Sequence, residues 1–248
     1  MAKRQSRRQS IRKALIIFSF LLFPITINYF SPYVIIDGAS QGIVNGSFIS
    51  FALMFLSALF VGRLWCGWGC PAGGLQEICF AVNDRPARGG RFNWIKWAIW
   101  IPWLSLIAML AIRAGGYRAV NVFHLTDSGI SVDRPEGYVI YYTVVGLLVV
   151  LSLTAGRRAA CHYICWMAPF MILGRKLRNF FRWPSLRLKA NTDECIDYKR
   201  CTANCPMSLD VHGMVQKSDM ENSECILCGS CVDVCPQDVI RYSFSAGK

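Results

Sequence analysis

Long apolar runs broken by short polar connections dominate the first two thirds of the chain. Four of them carry no charged residue: 14–36 (23 residues), 38–62 (25), 97–112 (16) and 138–156 (19). A helix needs about 20 predominantly apolar residues to cross the hydrocarbon of a bilayer. In lipid each backbone N–H and C=O must find its partner within the segment. The runs therefore predict four transmembrane helices. The third reaches 20 residues if it extends back to Asn93 and Lys96 snorkels to the interface. Pro24 and Pro102 predict kinks, which membrane helices tolerate. Tyr29, Tyr33, Trp65, Trp94, Trp97, Tyr138 and Tyr141 cluster near the run ends, as an aromatic belt or as plain helix packing.

Composition sharpens this picture. The 248 residues are 54% hydrophobic and 17% charged, against about 25% charged in a typical soluble protein; mean hydropathy is +0.34. Disorder is excluded, and an ordinary soluble enzyme is not expected. The net charge of +12 is unevenly placed: residues 1–189 hold 22 basic and 6 acidic residues, and 190–248 hold 5 and 9. The N-terminal flank (Lys3, Arg4, Arg7, Arg8, Arg12, Lys13), the second connection (Arg63, Arg85, Arg88, Arg91, Lys96) and the stretch after the fourth run (Arg157, Arg158, Arg175, Lys176, Arg178, Arg182, Arg187, Lys189) contain 19 basic residues. The other two connections contain three, Arg113, Arg118 and Arg134. The positive-inside rule then puts both termini in the cytoplasm of a multi-pass protein of the inner (plasma) membrane. The basic excess reads as this topology signal; no nucleic-acid recognition motif accompanies it, and no nucleic-acid partner is expected. Ser6, Arg7 and Arg8 vaguely resemble a twin-arginine export signal, but the run that follows is too long for a cleaved leader.

The twelve cysteines carry the chemistry. Cys225, Cys228, Cys231 and Cys235, followed by Pro236, form C-x2-C-x2-C-x3-C-P. In two-cluster ferredoxins three such thiolates wrap one cubane and the fourth ligates the other cluster. Zinc also uses C-x2-C pairs, but the full run ending in Cys-Pro favours iron–sulfur. Upstream, Cys195, Cys201 and Cys205-Pro206 keep the same spacing, with Tyr198 where the second Cys would stand. Cross-ligation predicts one complete [4Fe-4S] site from Cys205, Cys225, Cys228 and Cys231. A second site has Cys195, Cys201 and Cys235 and lacks one thiolate. It leaves three outcomes: a [3Fe-4S] cluster, a [4Fe-4S] cluster with a non-standard ligand, or no cluster. On the cytoplasmic side these cysteines are expected as reduced thiols.

Two further pairs lie just after runs two and four: Gly62-Arg63 then Cys66 and Cys70, and Gly156-Arg157 then Cys161 and Cys165. This is a weak internal repeat, and parallel repeats about an axis along the membrane normal are a known membrane plan. If the halves pack about that axis, four thiols meet at the cytoplasmic face. They would hold a further [4Fe-4S] cluster or copper(I); free cysteines packed as small hydrophobes are the alternative. Arg63 and Arg157 would offset the charge of a thiolate site or simply snorkel. Cys79 is left over, either as core packing or as the missing ligand of the deficient site. His162 and His124 are candidates for proton handling, or a hydrogen bond near a cluster and a solvated loop residue respectively.

Together, the charge-free runs, the two C-x3-C pairs and the C-terminal double Cys motif resemble the polytopic membrane 4Fe-4S ferredoxins of the NapH/MauN type, whose relatives include NosR- and CcoG-like proteins. The resemblance covers essentially the whole chain. Cys66, Cys70 and Pro71 match the family's C-x3-C-P motif; Cys161 and Cys165 depart from it, with Trp166 in place of Pro and Pro169 displaced. The fold expected is an α-helical membrane protein with four transmembrane helices as two parallel repeats (1–174), a basic linker (175–190) that lies on anionic lipid or serves as a tether, and a C-terminal α+β ferredoxin-like domain (191–248). The resemblance implies electron transfer between the quinone pool or a cytoplasmic donor and a redox partner protein, or service in metalloenzyme maturation. A metal-handling, copper-reducing factor is a second reading, and a sensor with a labile cluster a third. No dinucleotide fingerprint, P-loop or hydrolase triad occurs, so no catalytic residue is assigned.

Overall fold

Proline, glycine and asparagine decide where the apolar runs become helix. The structure, a computed structural model, describes residues 6–247 apart from the Arg91 side chain; Lys3 and Arg4 lie outside that range. Helix α1 (Arg7–Leu21) starts at Ser6, whose side chain accepts from the Gln9 N–H. Pro24 interrupts the ladder, and α2 (Phe23–Thr26) with the 3-10 turn Ile27–Phe30 leaves α1 at 60°. Helix α3 (Pro32–Gln41) restarts at Pro32, and strand β1 (Ile43–Asn45) follows. Asn45 then caps α4 (Gly46–Val61), its Oδ1 accepting from the Phe48 N–H at 2.9 Å. The first two predicted runs are therefore divided differently from the expectation: α3 straddles their boundary.

The short helices α5 (Leu64–Trp68) and α6 (Pro71–Ile78) precede α7 (Ile95–Arg113). Strand β2 (Ala119–Asn121) pairs in parallel with β1, and α8 (Pro135–Ala155) follows. Among the described residues, two helical stretches can cross a membrane by length and composition, Phe92–Arg113 and α8; the bent pair from α1 to Phe30 would make a third. Helix α4 has 16 residues, about 24 Å at 1.5 Å per residue, short of the ~30 Å hydrocarbon core. Ile99, Ile101 and Ile112 on α7 and Val139, Ile140 and Val150 on α8 are exposed. Apolar surface of that extent suggests membrane association.

The repeat is visible in the backbone. Gly62 (φ +59°) ends α4 and Gly156 (φ +100°) ends α8, both in a region that disfavours a Cβ. Each is followed by a five-residue helix, α5 holding Cys66 and α9 (Ala159–Tyr163) holding Cys161. Each short helix breaks before the second Cys, and a Pro then sits in the first turn of α6 or of α10 (Ala168–Phe180).

The C-terminal portion is a two-stranded antiparallel sheet, β3 (Ser185–Ala190) with β4 (Ile240–Ser245). Between the strands lie three short helices, α11 (Arg200–Ala203), α12 (Val211–Gln216) and α13 (Ser230–Asp233). The stretch 175–190 is folded rather than a free tether: α10 runs through Phe180, and β3 belongs to the sheet. Arg175, Arg178 and Arg187 are buried because they converge on Glu221, at 2.6, 3.6 and 2.8 Å. Helix α10 packs on α4, and α1 on α6. One buried apolar cluster runs from Phe51 and Met54 through Met171 to Met207, Ile226 and Val239, so the tail shares its core with the helices.

Candidate metal centres

Cys66, Cys70, Cys161 and Cys165 line one cavity of about 290 Å³, whose other lining residues include Phe23, Ile27, Val144 and Leu148. Gln76 ties the two repeats together there. Its Oε1 accepts from the Ala160 N–H at 3.0 Å, and its Nε2 donates to Cys161 Sγ at 3.3 Å. Burial pushes the Cys66 thiol up, against the pull of Arg63. Burial and the neighbouring thiols raise Cys70, and push Cys165 up to about 12. Held so, these groups stay protonated until a cation takes the protons' place.

In the tail, Cys205, Cys225, Cys228 and Cys231 line a second small cavity with Met207, Met214 and Ile226. Burial, then the nearby Cys228, pushes Cys205 up to about 12. Cys195, Cys201 and Cys235 line a third, together with Tyr198 and His212. The grouping matches cross-ligation: Cys205 leaves its own run to join the downstream three, and Cys235 joins the upstream ones. Cys79 lines none of the three cavities. It is buried on a 3-10 turn after α6, so the structure takes it out of the deficient site and leaves core packing as its role.

Comparison with known proteins bears on this geometry. Residues 46–88 and 137–184 both match the family described as a 4Fe-4S binding domain, one match on each repeat. Residues 194–240 match the 4Fe-4S dicluster domain. The matches and relatives support an iron–sulfur electron-transfer family. An uncharacterized protein of Methanocaldococcus jannaschii is 22% identical over 84% of this chain and 83% of its own length. The nitrogen fixation protein FixG of Rhizobium meliloti is 26% identical over 73% of this chain, and the putative electron transport protein YccM of Escherichia coli 23% over 82%. Those alignments cover 38% of FixG and 57% of YccM. No solved structure matches significantly.

The side chains around the thiols fit iron–sulfur chemistry. Arg63 is wholly buried, pulls on the Cys66 and Cys165 thiols, and has Nε and Nη2 without an acceptor among the described residues. Arg178, which feels the charge of Cys225, likewise has Nε without a hydrogen-bond partner among the described residues, while its Nη2 reaches only Glu221 at 3.6 Å. Buried N–H groups without partners call for an explanation, and hydrogen bonds to cluster sulfurs are one that tunes such centres.

Two expectations about basic residues change. The arginine matching Arg63 across the repeat is Arg158, not Arg157. Arg158 is fully buried, donates from Nη1 to the Cys66 carbonyl at 2.6 Å, and pairs with Glu77 at 2.6 Å. Arg157 instead pairs with the exposed Asp84 at 2.5 Å and donates from Nη1 to the Ala203 carbonyl at 2.7 Å. One extra arginine after Gly156 shifts the register, which spacing from the glycine alone misassigns. Arg158→Ala is expected to cost about 3–5 kcal/mol, the usual loss for breaking a buried pair. Arg157→Ala, which leaves behind the solvated Asp84 rather than a buried charge, is expected to cost less, about 1–2 kcal/mol. Thermal unfolding in detergent checks both. Lys96 does not snorkel: it is buried and meets Glu224 at 2.6 Å.

The histidines also find their places. His162 is buried, its Nε2 donating to the Met207 carbonyl (3.1 Å), while Nδ1 lies 2.9 Å from the Asn93 amide. Burial lowers it to about 4, so it is neutral at physiological pH. It joins the helix of Cys161 to the loop after Cys205. His124 lies 2.6 Å from Asp37, fastening the loop between β2 and α8 to α3. Neither lines the thiol cavity. His212, which spacing did not single out, stands beside Asp197 and Cys195 in the deficient site.

Proposed function

We propose that this chain is a membrane-bound conduit for single electrons, with iron–sulfur centres at its three thiol groups. Cys205, Cys225, Cys228 and Cys231 hold a [4Fe-4S] cluster; Cys195, Cys201 and Cys235 hold a second; Cys66, Cys70, Cys161 and Cys165 hold a third. When bound, such clusters take up and release one electron at a time. The observation that carries the reading is the seat of one thiol loop on another. Gly67 lies so close to the tail that a Cβ added there would overlap the Ile226 carbonyl and stand 3.4 Å from the Cys228 backbone. Trp68 Nε1 donates to the Leu227 carbonyl at 3.2 Å, and Gln9 Nε2 to the Cys228 carbonyl at 2.9 Å. Residues of the membrane-edge site thus touch those of the complete tail site.

Within the iron–sulfur family, the paired C-x3-C loops favour the NapH/MauN type. The loop charges favour four crossings (α1 with α2, α4, whose shortfall a locally thinned bilayer would take up, α7 and α8) in the inner membrane, with both termini and all three thiol groups on the cytoplasmic side. Electrons would pass between the quinone pool or a cytoplasmic donor and a redox partner protein. The apolar wall of the 290 Å³ cavity, with Phe23, Ile27, Val144 and Leu148, suits a quinone approaching from lipid.

One contact favours a second reading. Cys66 Sγ lies 3.8 Å from the Met171 thioether, and soft thiolate and thioether donors select copper(I). A copper-handling accessory role would use the same four thiols. Counting iron, sulfide and copper per chain after anaerobic purification in detergent separates the two. The conduit predicts iron and sulfide lost from the membrane-edge site alone when Cys66 and Cys161 become Ser; copper lost in the same variant would establish the accessory role instead.

A further inference from the structure

The upstream ferredoxin run lacks a thiolate because Tyr198 occupies its place, yet the loop brings another donor beside Cys195: ligand atoms of Cys195, Asp197 and His212 lie within 4.8 Å of one another. Asp197 adopts φ +54°, a left-handed conformation that Asp accepts more readily than most residues. There its Oδ1 lies 3.9 Å from Cys195 Sγ and 2.7 Å from His212 Nε2, and accepts from Gln216 Nε2 at 2.7 Å. Both α12 residues grip the same oxygen. Oδ2 has no hydrogen-bond partner among the described residues. The Arg200 guanidinium lies 4.4 Å from the Tyr198 ring centroid.

We propose that Asp197 supplies the missing fourth ligand of the second tail cluster through Oδ2, with Cys195, Cys201 and Cys235 as the other three. His212 and Gln216 are positioning residues: they hold Oδ1 and so fix the carboxylate's orientation. A carboxylate oxygen is a harder and weaker donor to cluster iron than a thiolate, and the Asp197 side chain is exposed. The fourth iron is therefore the exchangeable one, and this site alone interconverts between four-iron and three-iron forms. The assignment rests on the reading of Cys195, Cys201 and Cys235 as cluster ligands.

The test uses the full chain purified anaerobically, with iron per chain and EPR of the oxidised sample as readouts. Cys235→Ser gives the iron due to the second site by difference from the parent. Asp197→Gly, which keeps the left-handed backbone without strain, is expected to lose one iron per chain and to gain the three-iron signal. Tyr198→Phe should match the parent. Asp197→Gly combined with Tyr198→Cys rebuilds C-x2-C-x2-C and should recover the iron, which shows that the chain still folds. His212→Ala should give a mixture of the two forms, and His212→Asn, which keeps a donor, the parental spectrum. Parental iron and spectrum in Asp197→Gly, or loss of iron in Tyr198→Phe, would overturn the assignment. A parent with no more iron than Cys235→Ser would overturn the underlying reading of the site, and the assignment with it.

Discussion

Glu224→Ala is expected to release the tail from the helices and to cost about 3–5 kcal/mol, the loss typical of removing one partner from a buried pair. Glu224 is buried and holds two cations at once, Arg63 at 2.9 Å and Lys96 at 2.6 Å. Without it both are left buried with no carboxylate, at the junction of the two portions. Glu224→Gln keeps an acceptor and should lose less. Burial by itself would raise the Glu224 carboxyl; Arg63 and then Lys96 overrule it and hold it near 2, below its ordinary 4.5. The sign of the pH dependence follows. A carboxylate depressed on folding stabilises fully above its unfolded value and loses that contribution as pH falls through the folded one. Docking should thus be unaffected by this group above about pH 4.5, weaken between 4.5 and 2, and in Glu224→Ala lose that dependence. Limited proteolysis at the start of the tail, followed across pH in detergent, measures it. A variant as protease-resistant as the parent would show that the ion triad does not hold the tail.

Gly67→Ala is the second large expected effect. A glycine inside a helix costs roughly 0.5–1 kcal/mol relative to alanine, so at a free site the substitution would stabilise α5. Here the added Cβ overlaps the Ile226 carbonyl, and overpacking of a close contact costs about 1–3 kcal/mol. The net result expected is destabilisation, with the Trp68–Leu227 hydrogen bond lost and the two thiol loops moved apart. Slower electron exchange between the membrane-edge and tail centres, followed by rapid-freeze EPR after partial reduction, is the readout. Unchanged exchange with unchanged stability would mean that the loops do not meet as described.

Much of this was legible in the sequence because the signals are local. Thiol spacing at 225, 228, 231 and 235 and at 195, 201 and 205 sorts the tail cysteines into the two groups seen. The pairs at 66/70 and 161/165 announce a shared cavity once the repeat is noticed. What was illegible depends on contacts between distant residues. Nothing near Lys96 or Arg63 in sequence points to Glu224, more than 120 residues away. Arg158 rather than Arg157 faces the thiols because one extra residue separates Gly156 from Cys161, so register counted back from the cysteine, three positions as for Arg63 and Cys66, is the one that holds. His212 reaches the deficient site only because α12 folds back across the loop of Asp197. The apolar runs misled in one respect: hydropathy does not register that Pro24, Pro32 and Asn45 stop and restart helices inside an uncharged stretch.

The central claim is that the membrane-edge and complete tail centres are neighbours in one electron path, and magnetic interaction between them tests it most directly. EPR of the fully reduced, anaerobically purified protein is predicted to show signals broadened and split by a nearby second spin, reverting to an isolated-cluster spectrum when Cys66 and Cys161 are both replaced by Ser. Independent, unsplit spectra in the reduced parent, identical in the tail to those of the Ser variant, would contradict the account.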